Sequence, residues 1–221
     1  MKPAAALVLL VTLAATTRTS PLLDLQDQGR FRILLHGQPV GTEEFRIEPS
    51  GAGWLASAQL ELRLPDQPVQ RARAELTLDA TGQPLAYHWQ QLQPDRRALE
   101  VAFHGSTARL TLHPASGPAA VEEFTLVGRR IVLDNNLYHH FALLARLYDW
   151  QLGGPQTFTV LIPQDLTPGT VRVEPQPGAQ RGQRLRLRVA SPDLTVELEL
   201  DASHRLLRLS VPEAGAEVVR E

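Results

Sequence analysis

The sequence predicts a mainly β protein: a strongly curved antiparallel sheet, a half-barrel or open barrel, with one amphipathic helix packed on its apolar concave face. Three observations carry this. Apolar and polar residues alternate with period two through most of the chain, which places one side-chain set on each face of a strand. Clusters of Gly, Pro, Asn and Asp separate the alternating runs, as turns do. One stretch, Asn135 to Trp150, changes to helical spacing, with Leu137, Phe141, Leu144 and Tyr148 on one stripe.

The elements follow in chain order. Residues 1–20 read as a secretory signal peptide: Lys2 supplies the positive charge, Ala4 to Ala15 is uncharged and apolar, and Ala14 and Ala15 are small residues near a cleavage point. That run falls short of the about 20 residues a membrane-spanning helix needs, and no later segment is long and apolar enough. The expected location is therefore the bacterial periplasm or the medium. Residues 21–28 form an irregular lead-in, and 29–221 a single β-rich domain with its helix at 135–150.

Within that domain, Phe31, Ile33 and Leu35 alternate, Gly37 to Gly41 turns the chain, and Phe45 and Ile47 resume on the same face. Trp54 to Leu64 and Gln70 to Leu78 can form a hairpin with Leu62 near Ala72, Leu60 near Ala74 and Ala58 near Leu76, large against small. The turn Asp79 to Pro84 returns Leu85, Tyr87 and Trp89 against Leu78, Leu76 and Ala74. Leu99, Val101 and Phe103 face Leu112, Leu110 and Ala108 across a tight Gly105-Ser106 turn. Shorter strands are expected at 121–126, 157–162, 170–174 and 184–190. A last hairpin sets Val196, Leu198 and Leu200 against Val211, Leu209 and Leu207. The opposite faces carry Glu61, Arg63, Arg71, Arg73, Glu75, Glu197 and Glu199, the one-sided polarity of an antiparallel sheet. Asp134 and Asn135 are the expected helix caps, and the Pro/Gly-rich stretch Pro163 to Gly182 is the expected site of flexible connections.

Composition narrows the function classes. The chain has 221 residues, 43% of them hydrophobic, enough for a sizeable core. A formal net charge of −2 and a single lysine, Lys2, give no basic field for nucleic acid. With no cysteine, disulfides, thiolate nucleophiles and Cys-based metal sites are excluded.

No catalytic motif, cofactor fingerprint or metal-ligand spacing is present, so neither an enzyme activity nor a cofactor is expected; the alternative is an enzyme using the Asp134 to His140 cluster, which requires Asp134, Tyr138 and His140 to converge in a cleft. The densest polar cluster is Asp134-Asn135-Asn136-Leu137-Tyr138-His139-His140. Adjacent helical residues point about 100° apart, so His139 and His140 are expected to diverge, His140 beside the apolar stripe and His139 near solvent. The pairs Glu43-Glu44 and Glu122-Glu123 place one carboxylate on each face of a strand.

Gly37, Gly41 and Ile47 in a G-x-x-x-G-x-x-x-x-x-I pattern, the turn Asp79 to Pro84, and the lead Val132-Leu133-Asp134-Asn135-Asn136 into the helix resemble a group of uncharacterised secreted bacterial β-proteins of domains of unknown function. Their plan is similar to the LolA-like lipoprotein-carrier half-barrels. The resemblance spans most of residues 29–220 and implies a concave face that holds helical elements and sometimes a lipid chain; it brings no catalytic residues. On this basis the chain is expected to hold a lipid or other apolar small molecule between sheet and helix, at Trp54, Leu60, Leu76, Tyr87, Trp89, Phe103, Phe141, Leu144 and Tyr148. The alternative is a non-enzymatic scaffold of the cell envelope with a solid core, meeting another envelope protein through outward charges such as Arg71 and Arg73.

Overall fold

The computed structural model describes residues 23–177 and 184–221; the signal peptide expected at 1–20 lies outside them. Fifteen strands form one sheet. The first half is a meander of eight: β1 (Asp27–Leu35), β2 (Gln38–Ser50), β3 (Gly53–Leu62), β4 (Gln70–Leu78), β5 (Pro84–Gln93), β6 (Arg97–His104), β7 (Thr107–His113) and β8 (Ala120–Thr125). A short β9 (Arg130–Val132) leads into the helix α1 (His139–Leu147). The second half continues with β10 (Gln156–Ile162), β11 (Thr167–Pro175), β12 (Leu185–Ala190), β13 (Thr195–Leu200), β14 (Leu206–Val211) and β15 (Ala216–Arg220).

The two halves join through their outermost strands in sequence, because β1 pairs antiparallel with β15. The far ends of the sheet are then β8 and β9. The β9 end approaches the first half: the Arg130 guanidinium reaches Gln83, just before β5, and the Gly105 carbonyl in the β6–β7 turn. The result is a large, open, curled sheet around one continuous apolar core. All strand pairs are antiparallel except β9 with β10. The lone parallel pair arises because α1 lies between those strands, as a crossover requires.

Most of the expected pairing is present, and the differences have local causes. The pairs Leu99–Leu112, Val101–Leu110 and Phe103–Ala108 form as expected, with Gly105 at φ 55° in the two-residue turn, a conformation glycine adopts without a Cβ penalty. The β3–β4 hairpin is shifted by two residues, to Leu60–Ala72 and Ala56–Leu76. A two-residue shift keeps every side chain on its face, so alternation alone cannot detect it. A bulge at Thr77/Leu78 puts Pro84, not Leu85, opposite Leu78 and leaves Leu85 exposed. A second bulge at Glu199/Leu200 sets Leu206, not Leu207, opposite Leu200. Within the stretch expected to be flexible, Pro163–Asp165 is a 3-10 turn and Thr167–Pro175 is the strand β11, while residues 178–182 lie outside the described part. The strand β15 follows a single 3-10 turn, Pro212–Ala214, and had no counterpart in the sequence reading.

The seam between β1 and β15 is pinned by Arg220. Its guanidinium donates to both carboxylate oxygens of buried Asp27, at 2.6 and 3.1 Å, and to the carbonyls of Leu206 and Gln28. It also stands over the Phe45 and Phe31 rings, at 5.4 and 5.9 Å from their centroids, where a cation is attracted to the ring face. Arg220→Met keeps the apolar stem and removes the donors, leaving the buried Asp27 carboxyl without its main partner. We expect a loss of about 2 kcal/mol in urea unfolding, below the buried-pair range because the guanidinium keeps one edge in water.

Candidate functional site

The helix is shorter than its apolar pattern, nine residues at His139–Leu147 rather than 135–150. Asn136 takes a left-handed φ of 65°, which excludes Asn135 and Asn136 from the first turn. The residue at the cap position is Tyr138, with no side-chain cap of its own. The cap comes instead from across the molecule. Glu43 of β2 accepts the Tyr138 amide at 2.7 Å and the His139 amide at 3.1 Å, and its Oε1 lies 2.5 Å from His139 Nδ1. At the other end the Arg129 guanidinium donates to the Leu147 carbonyl, a cation at the negative end of the helix. Because the sheet curls around it, α1 is buried on most sides, including Ala142, Leu143, Leu144 and Ala145. It is a plug, not a one-sided lid.

His139 is therefore not near solvent and the two histidines do not diverge: both are fully buried, their ring centroids 4.2 Å apart. Burial pushes the His139 imidazole down to about 3 and His140 well below its ordinary value, with His139 adding to the effect. Burial likewise pushes Glu43 up to about 8, the two helix amides pulling the other way. These directions agree with one arrangement. A protonated Glu43 donates through Oε1 to neutral His139 Nδ1, while its oxygens accept the two backbone amides. His140 Nδ1 accepts the Asp134 amide at 3.1 Å, which places its proton on Nε2. Tyr87 meets the His140 ring edge-on at 5.7 Å. The Tyr87 hydroxyl and both histidine Nε2 atoms have no hydrogen-bond partner among the described residues. No cluster of three metal-ligating side chains is found among them either.

The residues expected to bind a ligand are not gathered around one void. Leu60, Leu76, Tyr87, Phe103, Leu144 and Tyr148 are buried in the core, while Trp54 and Trp89 are half-buried at its margin. Tyr148 donates its hydroxyl to the Gly154 carbonyl at 2.6 Å. Only Phe141 of the nine lines the apolar cleft, which lies elsewhere: between the start of α1 and the inner face of the second half-sheet. Val160, Val171, Val189, Val196 and Leu209 form its walls, Leu194 stands exposed beside it, and its volume is about 190 Å³. Asp134 is part of the wall and 4% exposed. Burial holds its carboxyl well above the usual range, the hydrogen bond from the Gln164 side chain pulling the other way.

The outer face differs in kind. Its charges neutralise one another: Glu61 binds Arg71 of the neighbouring strand at 2.8 Å and Arg63, two residues along its own chain, at 2.7 Å. Arg73 borders a shallow charged trough with Arg30, Glu44 and Glu75.

Two residues of this centre had a signal in the sequence. Glu43 shares parity with Phe45 and Ile47 and so had to point inward. Asp134 directly follows the apolar run Ile131-Val132-Leu133.

The fold is of the β-barrel-like class, a large curled antiparallel sheet. A β-barrel-like protein of domain of unknown function DUF1849 from Brucella abortus is similar at a TM-score of 0.58 and 8% identity, covering 90% of this chain and 96% of that one. A DUF1089 family protein from Pseudomonas aeruginosa is similar at a TM-score of 0.50 and 11% identity, covering 94% of this chain and 98% of the other. Both likenesses are of fold alone, and neither protein is described as a lipoprotein carrier. No family model and no curated protein matches the chain. Among the described residues, no helix is long and apolar enough to cross a membrane.

Proposed function

We propose that this chain is an exported envelope protein that holds a small apolar ligand, or one end of a lipid-like chain, in the cleft between α1 and strands β10–β14. The single observation that carries the reading is that cleft, about 190 Å³, walled mainly by Val, Leu, Ile and Phe, with Asp134, Asn135, Asn136, Tyr138 and Ser191 completing the lining. Apolar cavities of about 150 Å³ stay dry and take up benzene, whereas drug-sized sites run to about 300–1,000 Å³. The cleft therefore fits one ring or a short chain, and affinity comes from apolar burial at about 0.8 kcal/mol per methylene. The apolar leader at Ala4 to Ala15 supports export. The outer charges support a scaffold role less well, because Arg71 and Arg63 are engaged with Glu61 within the chain.

Calorimetric titration of the purified chain with toluene tests the reading. Saturable binding is expected, and Val196→Phe, which fills the cleft, should abolish it while the near-ultraviolet circular dichroism stays native. Absence of saturable binding to the unaltered chain, or undiminished binding to a natively folded Val196→Phe, counts against the proposal.

A further inference from the structure

We infer that the free edge of β8 is a docking site for an extended segment of a partner protein, one that carries two consecutive basic residues between β-branched ones. This surface is separate from the apolar cleft and does not depend on it.

The sheet has two ends, β8 and β9, and the chain itself covers one of them. At β9 the Arg130 amide and guanidinium are both taken by the Gln83 side chain, and Ile131 and Val132 are buried. At the other end β8 pairs with β7 alone. Every residue of Ala120–Thr125 is exposed except Phe124, which is half-buried. Strand edges of this length run about 20 Å. The outer row of backbone N–H and C=O groups has no strand beside it, and such a row is the template an incoming strand uses.

The inner face is uncovered here as well. Residues directly opposite in an antiparallel pair share a face of the sheet. Glu122 stands opposite buried Leu110, yet Glu122 is exposed. The core thus ends at β7, with only Phe124 reaching it from β8. A strand laid along β8 extends the sheet past the core, with both of its faces open to solvent.

Charge selects the occupant. Glu122 and Glu123 are successive residues of one strand, so one carboxylate lies on each face of the ribbon. From Pro114 to Thr125 the chain has no Lys, Arg or His. Arg109 reaches Glu123 at 3.7 Å between two exposed side chains, a contact of little strength. A second copy of this chain fits poorly. Two-fold antiparallel pairing of β8 with itself, centred on either glutamate, sets that carboxylate against its own copy, which is destabilising. A strand with two adjacent basic residues instead places one against each carboxylate, one per face. Its β-branched flanks match Val121 and Phe124.

The probe is the peptide acetyl-Thr-Val-Arg-Arg-Val-Thr-amide, titrated into the purified chain and followed by amide NMR shifts. Saturable binding is expected, with shifts centred on β8 and β7. The isomer acetyl-Thr-Arg-Val-Arg-Val-Thr-amide has the same charge but sets both arginines on one face, and should bind about fivefold more weakly. The fully N-methylated diarginine peptide cannot donate to the edge and should not bind. Glu122→Arg combined with Glu123→Arg should weaken the diarginine peptide about tenfold and confer binding of acetyl-Thr-Val-Glu-Glu-Val-Thr-amide. Near-ultraviolet circular dichroism checks that variant's fold, and the peptide comparisons on the unaltered chain need no variant. Absence of saturable binding, or shifts remote from β8, overturns the proposal. Equal binding of the isomer reduces the effect to net charge, and binding of the N-methylated peptide excludes strand pairing; either result also overturns it. A dimer of the unaltered chain whose shifts map to β8 overturns it in favour of a second copy.

Discussion

Glu43→Ala should lower the stability of the purified chain by about 3 kcal/mol or more, and Glu43→Gln by about 1 kcal/mol or less, in urea unfolding. Alanine removes three interactions at once: the acceptors for the Tyr138 and His139 amides and the partner of His139 Nδ1. All lie at a fully buried site, so no water replaces them without a structural change. Loss of a helix cap alone costs about 1 kcal/mol, and each orphaned buried group adds about 1–3 kcal/mol. Glutamine keeps the shape. Its oxygen accepts a backbone amide and its NH2 donates to Nδ1, as the protonated acid does. If the two variants lose equal stability, a negative charge on Glu43 holds the helix, and the neutral arrangement described above is wrong.

The pH dependence of stability gives the second large effect. Four buried groups cluster here: Glu43, Asp134, His139 and His140. Burial raises the two carboxyls and lowers the two imidazoles, so the folded protein keeps all four uncharged across the mildly acidic range. Between pH 4.5 and 6.5, the ordinary values of a glutamate and a histidine, the unfolded chain carries two protons on its imidazoles. The folded chain carries two on its carboxyls. The proton counts match, and stability is flat.

Above pH 6.5 the unfolded chain has released protons that the folded one retains. Stability therefore falls as pH rises, until Glu43 lets go at about 8. Below 4.5 the unfolded chain binds all four protons and the folded chain only two. Stability then falls as pH drops, through the His139 value of about 3. Each group contributes up to about 1.4 kcal/mol per pH unit over its window. Urea midpoints measured from pH 3 to 9 should show a plateau with two falling limbs. Glu43→Gln should weaken the alkaline limb and tilt the plateau upward with pH. A stability that climbs steadily to pH 9 would contradict this account.

Alternation exposed the β class, the single helix and most hairpin partners, because period two is a property of a strand and its two environments. The Leu99–Leu112 register was legible since a two-residue turn leaves no freedom. The β3–β4 register was not, because the longer connection between Leu62 and Gln70 permits even shifts that alternation cannot see. The site was harder to read. Trp54 and Trp89 drew notice as large aromatics, yet the cleft is built from valines and leucines contributed by strands far apart in sequence, such as β10 and β14. No local pattern encodes that convergence. The cap was missed for the same reason: Asp134 and Asn135 have the right chemistry, but Glu43, some 95 residues away, has the right position.

The pairing of β1 with β15 also bears on how fast the molecule assembles. Each half consists of consecutive hairpins, contacts that form quickly because little chain entropy is lost in closing them. The halves unite only when strands at opposite ends of the chain meet, with Asp27 and Arg220 separated by 193 positions. Closing so long a loop costs more chain entropy than closing any one hairpin, so the β1–β15 seam is the contact expected to limit the folding rate.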